Sequence, residues 1–202
     1  MISVAIIVLA AGRASRMGQG GSHKLLAEFE GVPLVRRVAE QALGCGAASV
    51  TVVTGHRQEE IAAALSGLNV RLACNADYAS GMASSLIAGF SAPEARPADG
   101  VLVMLADMPG VTASDLRTLI DAFRASGGEA IVRAVSQGKR GNPVILPQSL
   151  RSEVFRLTGD VGARHIIEAS DLPIIDVDIG AAAHLDVDTP DAIIAAGGVL
   201  KA

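Results

Sequence analysis

Strand-like apolar runs alternate with helical patterns from one end of the chain to the other. This predicts a doubly wound α/β fold, a single mostly parallel sheet with helices on both faces. Two further observations agree. Residues 101–105 are apolar at every position, as a central strand buried on both faces requires, and residues 113–125 have amphipathic helical spacing that stops before Gly127-Gly128.

Residues 4–10 form the first strand. No Lys or Arg precedes the apolar run of residues 2–11 and Gly12-Arg13 ends it, so it reads as a buried strand and not as a signal-peptide core. A helix over 33–43, a strand over 49–54, a helix over 58–65 and a strand over 69–74 follow. Residues 82–90 read as a helix after Gly81. Residues 130–135 and 144–146 read as strands, with 137–142 as a polar connection between them. The last third is less regular, with short helices near 149–157 and 161–169, an extended stretch over 173–177 and a final helix from Pro190. With no repeat and no linker, the expectation is one domain over residues 1–202.

Composition narrows the function. Half of the 202 residues are apolar, enough to build a core and exclude intrinsic disorder. With no Trp, one Tyr and four Phe, there is little material for stacking single-stranded nucleic acid. Seventeen Lys+Arg against 21 Asp+Glu gives a net charge of −4, without the basic footprint of a nucleic-acid or membrane-surface binder. No stretch approaches the roughly 18–20 apolar residues of a membrane span. Cys45 and Cys74 have no CxxC spacing, read as small core hydrophobes and suit a reducing cytoplasm. The four histidines are dispersed, without zinc-ligand spacing, and read as surface or capping residues. The expected ligand is a small molecule.

Open α/β sheets bind ligands beyond the carboxyl ends of their strands. The loop after the first strand, Leu9-Ala10-Ala11-Gly12-Arg13 onward, carries Arg13, Arg16 and Lys24, with no Asp or Glu before residue 28. Free backbone N–H groups beside fixed cations suit phosphate oxygens. The loop has neither GxGxxG nor the GK[ST] ending of a Walker loop, so dehydrogenase and P-loop readings fall away. Asp107 follows the strand over 101–105 and precedes Met108-Pro109, in the place of a Mg²⁺ ligand beside nucleotide phosphates or of a turn-forming Asp. Asp186 and Asp188 alternate on an extended segment, so either can add a second carboxylate; Asp188 or Thr189 can instead cap the helix from Pro190. Asn75, Ser80, Gly81, Ser84 and Ser85 near a helix start offer donors to a ribose or base. Arg140, Asn142, Asp160 and Arg164 sit in turn-like clusters that can touch substrate and are expected to bind the acceptor, with Asp160 also read as a helix N-cap; capping alone is the competing explanation for both sets.

These blocks taken together, from Leu9-Ala10-Ala11-Gly12 through Arg16-Met17-Gly18, Lys24-Leu25-Leu26, Gly81-Met82-Ala83-Ser84-Ser85-Leu86, Ala106-Asp107-Met108-Pro109, Arg140-Gly141-Asn142-Pro143, Gly159-Asp160-Val161-Gly162-Ala163-Arg164 and Leu185-Asp186-Val187-Asp188, resemble the MobA-like nucleotidyltransferases, and among them the molybdenum cofactor cytidylyltransferases. The resemblance spans the chain. It implies a Rossmann-like nucleotidyltransferase fold and transfer of CMP from CTP to the phosphate of molybdopterin cofactor, with Mg²⁺ on Asp107 and on Asp186 or Asp188. Arg16 and Lys24 are implied as triphosphate ligands, the segment from Asn75 to Ser85 as a nucleoside contact, and a receiving molybdoenzyme as a partner. Ala11 matches the cytidylyltransferase form, whereas guanylyltransferase relatives more often carry Gly there; GTP and sugar-phosphate acceptors are the alternatives, as is a non-catalytic cofactor carrier. Ala14 replaces the family's usual Gly or Ser, and residues 19–23 are longer than common.

Overall fold

A computed structural model describes residues 2–14, 17 and 23–200. Its main sheet has seven strands in the order β5-β4-β1-β6-β8-β7-β9. These are β1 (Val4–Leu9), β4 (Ser49–Thr54), β5 (Arg71–Cys74), β6 (Gly100–Leu105), β7 (Ile131–Ser136), β8 (Lys139–Pro147) and β9 (Ile174–Asp178). All neighbouring pairs are parallel except those of β8, which runs antiparallel to both β6 and β7.

Alternation along β1 explains the two-sided core. Val4, Ile6 and Val8 face one layer, with Leu34 and Val38 of helix α1 (Leu34–Gly44), Ile61 of α2 (Gln58–Ala64) and Leu116 and Ile120 of α4 (Ala113–Ala125). Ala5 and Ile7 face the other, with Leu86 and Phe90 of α3 (Met82–Ser91), Val154 of α5 (Arg151–Val154) and Ile166 of α6 (Ala163–Ala169). Every residue of β1 before Leu9 is buried, as a strand covered on both faces should be. The helix α4 has the bounds the sequence predicts because Thr112 and Asp115 form a reciprocal capping box at its start.

Three sequence expectations need correction. The polar stretch 137–142 is not a free connection: Gln137-Gly138 makes the turn and Lys139 already pairs with Ser136, so Arg140 and Asn142 lie on β8. Asp160 does not cap α6, whose N-cap is Gly162 without a side-chain bond. Cys45 is buried, but Cys74 is exposed on the edge strand β5 and donates to Gln58 Oε1 at 2.7 Å. A small sheet of β2 (Glu28–Phe29), β3 (Val32–Pro33) and β10 (Gly198–Val199), near the final helix α7 (Pro190–Ala195), was not foreseen.

The chain runs from β1 through β4 to β5 on one side, then crosses back to β6 on the other side of β1. Strand order therefore reverses between β1 and β6, and the crevice beyond their carboxyl ends is the favoured ligand position of such a sheet.

Candidate active site

The crevice opens into a cavity of about 380 Å³. Its β1 wall is Leu9, Ala10, Ala11 and Gly12, held against β4 and its loop by bonds from Ala10 N–H to the Val53 carbonyl and from His56 N–H to the Ala11 carbonyl. Its β6 wall is Leu105 and Asp107, joined to β1 by Ala106 N–H donating to the Leu9 carbonyl. Neighbouring strands thus fix the spacing of the two loops.

Lys24 reaches into this gap from a 3-10 turn, Lys24–Leu26. Its position depends on His23, which is buried and capping, not at the surface. The His23 Nδ1 accepts from Leu25 N–H at 3.3 Å while Nε2 lies 3.3 Å from the Gly12 carbonyl. An accepting Nδ1 assigns the proton to Nε2, so one neutral imidazole joins the end of the β1 loop to the turn bearing Lys24. Burial lowers the His23 pKa against the opposing bond to Gly12, and the positive charges of Arg57, His56 and Lys24 lower it further.

Lys24 Nζ donates to Asp107 Oδ2 at 2.5 Å and to Asp188 Oδ1 at 2.6 Å. Burial pulls the Lys24 pKa down, but the charges and hydrogen bonds of Asp107 and Asp188 outweigh it and leave the pKa raised. Asp188 reaches this point because the segment before α7 is hooked to the β6 loop, with Val187 N–H donating to the Asp107 carbonyl at 3.0 Å. Thr189, not Asp188, caps α7 through its side chain. Asp186 also lines the cavity.

The remaining wall is the start of α3. Met82 N–H donates to Asp160 Oδ1 at 3.3 Å and Ala83 N–H to the Gly159 carbonyl at 3.2 Å, so Gly159-Asp160 satisfies two of the helix's orphan donors from across the chain. Gly81, at φ +115°, lets this segment approach; a Cβ there would stand 2.4 Å from the Gly159 carbonyl carbon and oxygen. Ser85 lines the cavity, as do Tyr78 and Met82 of the same segment that the resemblance places near the nucleoside, and Leu25, to which sequence reasoning assigned no role.

The structure thus gathers Leu9, Ala10, Ala11, Gly12, Lys24, Gly81, Ser85, Asp107, Asp186 and Asp188 around one cavity, together with Asp160, which the sequence grouped with acceptor residues. Arg140, Asn142 and Arg164 line a second cavity of about 290 Å³ that shares Leu9, Met82 and Leu105 with the first. Four residues expected to contact the nucleotide do not line the first cavity themselves but adjoin residues that do, or brace them. Arg13 stacks over Tyr78 at 5.6 Å. Asn75 is buried and spends its amide on Ser84 and Ser85, Ser84 donates to the Asp77 and Gly81 carbonyls, and Ser80 donates to the Asp77 carbonyl. These residues brace the entry to α3. Arg16 lies outside the described residues.

The donor set fits a divalent cation. Among the described residues, Asp107 Oδ1 is buried with no hydrogen-bond partner, and Lys24 Nζ bonds both Asp107 and Asp188. Among the described residues no group of three or more His, Cys, Asp or Glu is gathered to hold an ion unaided. A divalent cation held by one or two carboxylates completes its coordination with phosphate oxygens and water.

A family model for the MobA-like NTP transferase domain matches residues 6–174. The chain belongs to that family. MobA-like chains are nucleotidyltransferases, and the mostly parallel sheet here has their Rossmann-like architecture. Nicotine blue oxidoreductase of Paenarthrobacter nicotinovorans is 32% identical over 163 residues, 78% of each chain. The bifunctional protein GlmU of Pelobacter propionicus is also 32% identical over 163 residues, but the chain spans only 33% of its length. Among solved structures, Rv0371c of Mycobacterium tuberculosis H37Rv superposes with a TM-score of 0.81 at 24% identity over 97% of both chains, and a further structure of it is a manganese complex. Molybdopterin-guanine dinucleotide biosynthesis protein A of Archaeoglobus fulgidus superposes with a TM-score of 0.68 at 17% identity, over 96% of both chains. Among the described residues no helix is long and apolar enough to cross a membrane.

Proposed function

We propose that this MobA-like chain transfers CMP from CTP to the phosphate of molybdopterin cofactor, releasing pyrophosphate, with Mg²⁺ on Asp107 and Asp188. The observation that carries the metal-dependent transferase reading is the Lys24 ammonium caught between two carboxylates at the β1–β6 crevice, one with a buried oxygen left over. Among the described residues four Asp and one Lys line this cavity, so the acids there repel a bare triphosphate. A divalent ion, when bound, neutralises the acids and polarises the phosphates.

The chain's own residues then do the positioning. Main-chain groups from Leu9 to Gly12 face the nucleotide, and Lys24, released from the acids, moves its charge to the leaving pyrophosphate together with Arg16. The acceptor phosphate, seated in the adjoining cavity, approaches the α-phosphorus in line. Its oxygen is already anionic near neutral pH, so no general base is needed, and catalysis reduces to orientation and charge stabilisation. Asp186, beside the pair, orients water or the ion. The preference for CTP rests on Ala11, and that for molybdopterin on the family resemblance. GTP and sugar phosphates are the competing substrates, and the cysteine usage suits a cytoplasmic setting.

The Paenarthrobacter relative's name favours a second reading, a redox reaction on an organic dye in the same crevice. Hydride transfer gives Asp107 and Asp188 no task, which is why the transferase reading stands first. The test is pyrophosphate release from CTP and from GTP, with and without Mg²⁺, in the presence of molybdopterin cofactor. Mg²⁺-dependent release with CTP is expected. Release with GTP alone overturns the base assignment, and no release with either, alongside oxidation or reduction of an organic dye, overturns the transferase reading.

A further inference from the structure

The second cavity has two characters. Its interior is apolar, from Leu86, Val103, Val144 and Ile167, and its rim is cationic, from Arg133, Arg140 and Arg164. Arg133 is engaged by both oxygens of Asp176, at 2.9 and 3.1 Å. The other two cations converge differently. Arg140, on β8, donates from Nη1 to Glu168 Oε1 at 2.5 Å, and Arg164, on α6, donates from Nε to the same oxygen at 2.9 Å.

One carboxylate oxygen held by guanidinium groups from two separate elements is how a protein holds an oxyanion of a ligand. Here the oxyanion is the chain's own. Glu168 is one turn along α6 from Arg164, at i+4, so its side chain reaches the Arg pair without distorting the helix. Hydrogen bonds from Arg164 and then Arg140 hold its carboxyl below the usual pKa, so it remains an anion. All three side chains are about half exposed or more, and ion pairs this open are weak enough for a ligand to replace.

We propose that Arg140 and Arg164 form an anion clamp that Glu168 fills in the free protein, and that a phosphate monoester on an apolar ring body displaces the Glu168 carboxylate on entering the second cavity. This rests on the reading of that cavity as the acceptor site and adds what empties it. The ligand's ring lies against Val103 and Ile167 while its phosphate takes the two guanidinium groups. Glu168 then swings to solvent, at the cost of two exposed ion pairs. It also disfavours neutral acceptors, which cannot replace the charge they would leave unpaired.

The test uses phenyl phosphate as the probe, with binding to the full chain followed by calorimetry, so it does not depend on turnover. Glu168→Gln is expected to bind phenyl phosphate about three- to tenfold more tightly than the parent, the factor by which a weak internal competitor occupies the clamp. Phenol should bind neither protein measurably better than the other. In an Arg140→Gln, Arg164→Gln background the gain from Glu168→Gln should disappear. Equal affinity of Glu168→Gln and the parent overturns the proposal, and so does a gain that persists without the two arginines, which would mark a long-range charge effect. A tighter-binding variant of a chain that releases no pyrophosphate from any nucleotide would keep the clamp and reject the transferase reading.

Discussion

Replacing Lys24 by Met tests whether its ammonium stands in for a divalent cation. The Lys24 side chain is 14% exposed, Asp107 15% and Asp188 31%, so the cluster lies between a buried and a surface ion pair. Removing one partner of a buried pair costs about 3–5 kcal/mol and an exposed pair contributes about 0–1 kcal/mol; about 2 kcal/mol is expected here. For a chain of this size that lowers Tm by roughly 4–8 °C. The raised Lys24 pKa fixes the pH window. Its stabilisation is complete below the unfolded value near 10.5 and lost only as pH rises through the higher folded value, so the deficit should be uniform from about pH 6 to pH 9. Added Mg²⁺ or Mn²⁺, without nucleotide, should then raise the Tm of the variant by several degrees more than that of the parent, because the two carboxylates have lost the ammonium that bridged them. Thermal unfolding with and without the ion measures both effects. A variant as stable as the parent in metal-free buffer, or one that gains no more from the ion, refutes the reasoning.

Asp107→Asn should keep the fold, as a far-UV spectrum like the parent's would show, with a Tm lowered by no more than Lys24→Met lowers it, while reducing pyrophosphate release by a factor of about 100 or more; near-normal release would remove Asp107 from the metal site. His23→Asn should flatten the acid side of the stability profile: burial depresses the His23 pKa, so the parent's stability is complete above the unfolded value near 6.5 and falls as the unfolded chain takes up a proton below it. Tm measured across that range checks this, and parallel profiles for the two proteins would contradict it. Gly81→Ala should destabilise by about 1–3 kcal/mol, since its φ of +115° and a backbone carbonyl 2.4 Å from the new Cβ leave no relaxed solution, and a denaturant midpoint equal to the parent's would count against that account.

The sheet was legible because its strands carry their own signal. The strand Ser49–Thr54 and the helix Ala113–Ala125 have the bounds the sequence predicts, one from a β-branched run and the other from a capping box that acts within three residues. What was not legible depends on partners far along the chain. The two-residue strands β2, β3 and β10 exist only through pairing, including Phe29 with Gly198. Asp160 looked like a cap for the helix that follows it, yet its carboxylate serves Met82, earlier in the chain, because Gly159 and Gly81 let two backbones approach. The acids of the site were found from their places after a strand and before a helix. Asp188 stands apart from Asp186 only because Lys24 and the Val187–Asp107 bond set the register of that segment. His23 gave no signal, since a lone histidine beside a glycine-rich loop is indistinguishable from a surface one until the carbonyl of Gly12 is opposite it.

The hydrogen bond from Val187 N–H to the Asp107 carbonyl has an evolutionary corollary. It is made by main chain alone, so it survives any side-chain substitution at either position short of proline at 187. Between β8 and β9 the chain makes a detour through α5 and α6 whose two ends are moored to the central sheet. Lengthening or rewriting the detour outside Gly159-Asp160, which holds the start of α3, reshapes the cavity bounded by Arg164 and Ile167 without shifting Asp107 relative to Asp188. A lineage built this way can exchange one acceptor for another while its phosphate chemistry stays in place.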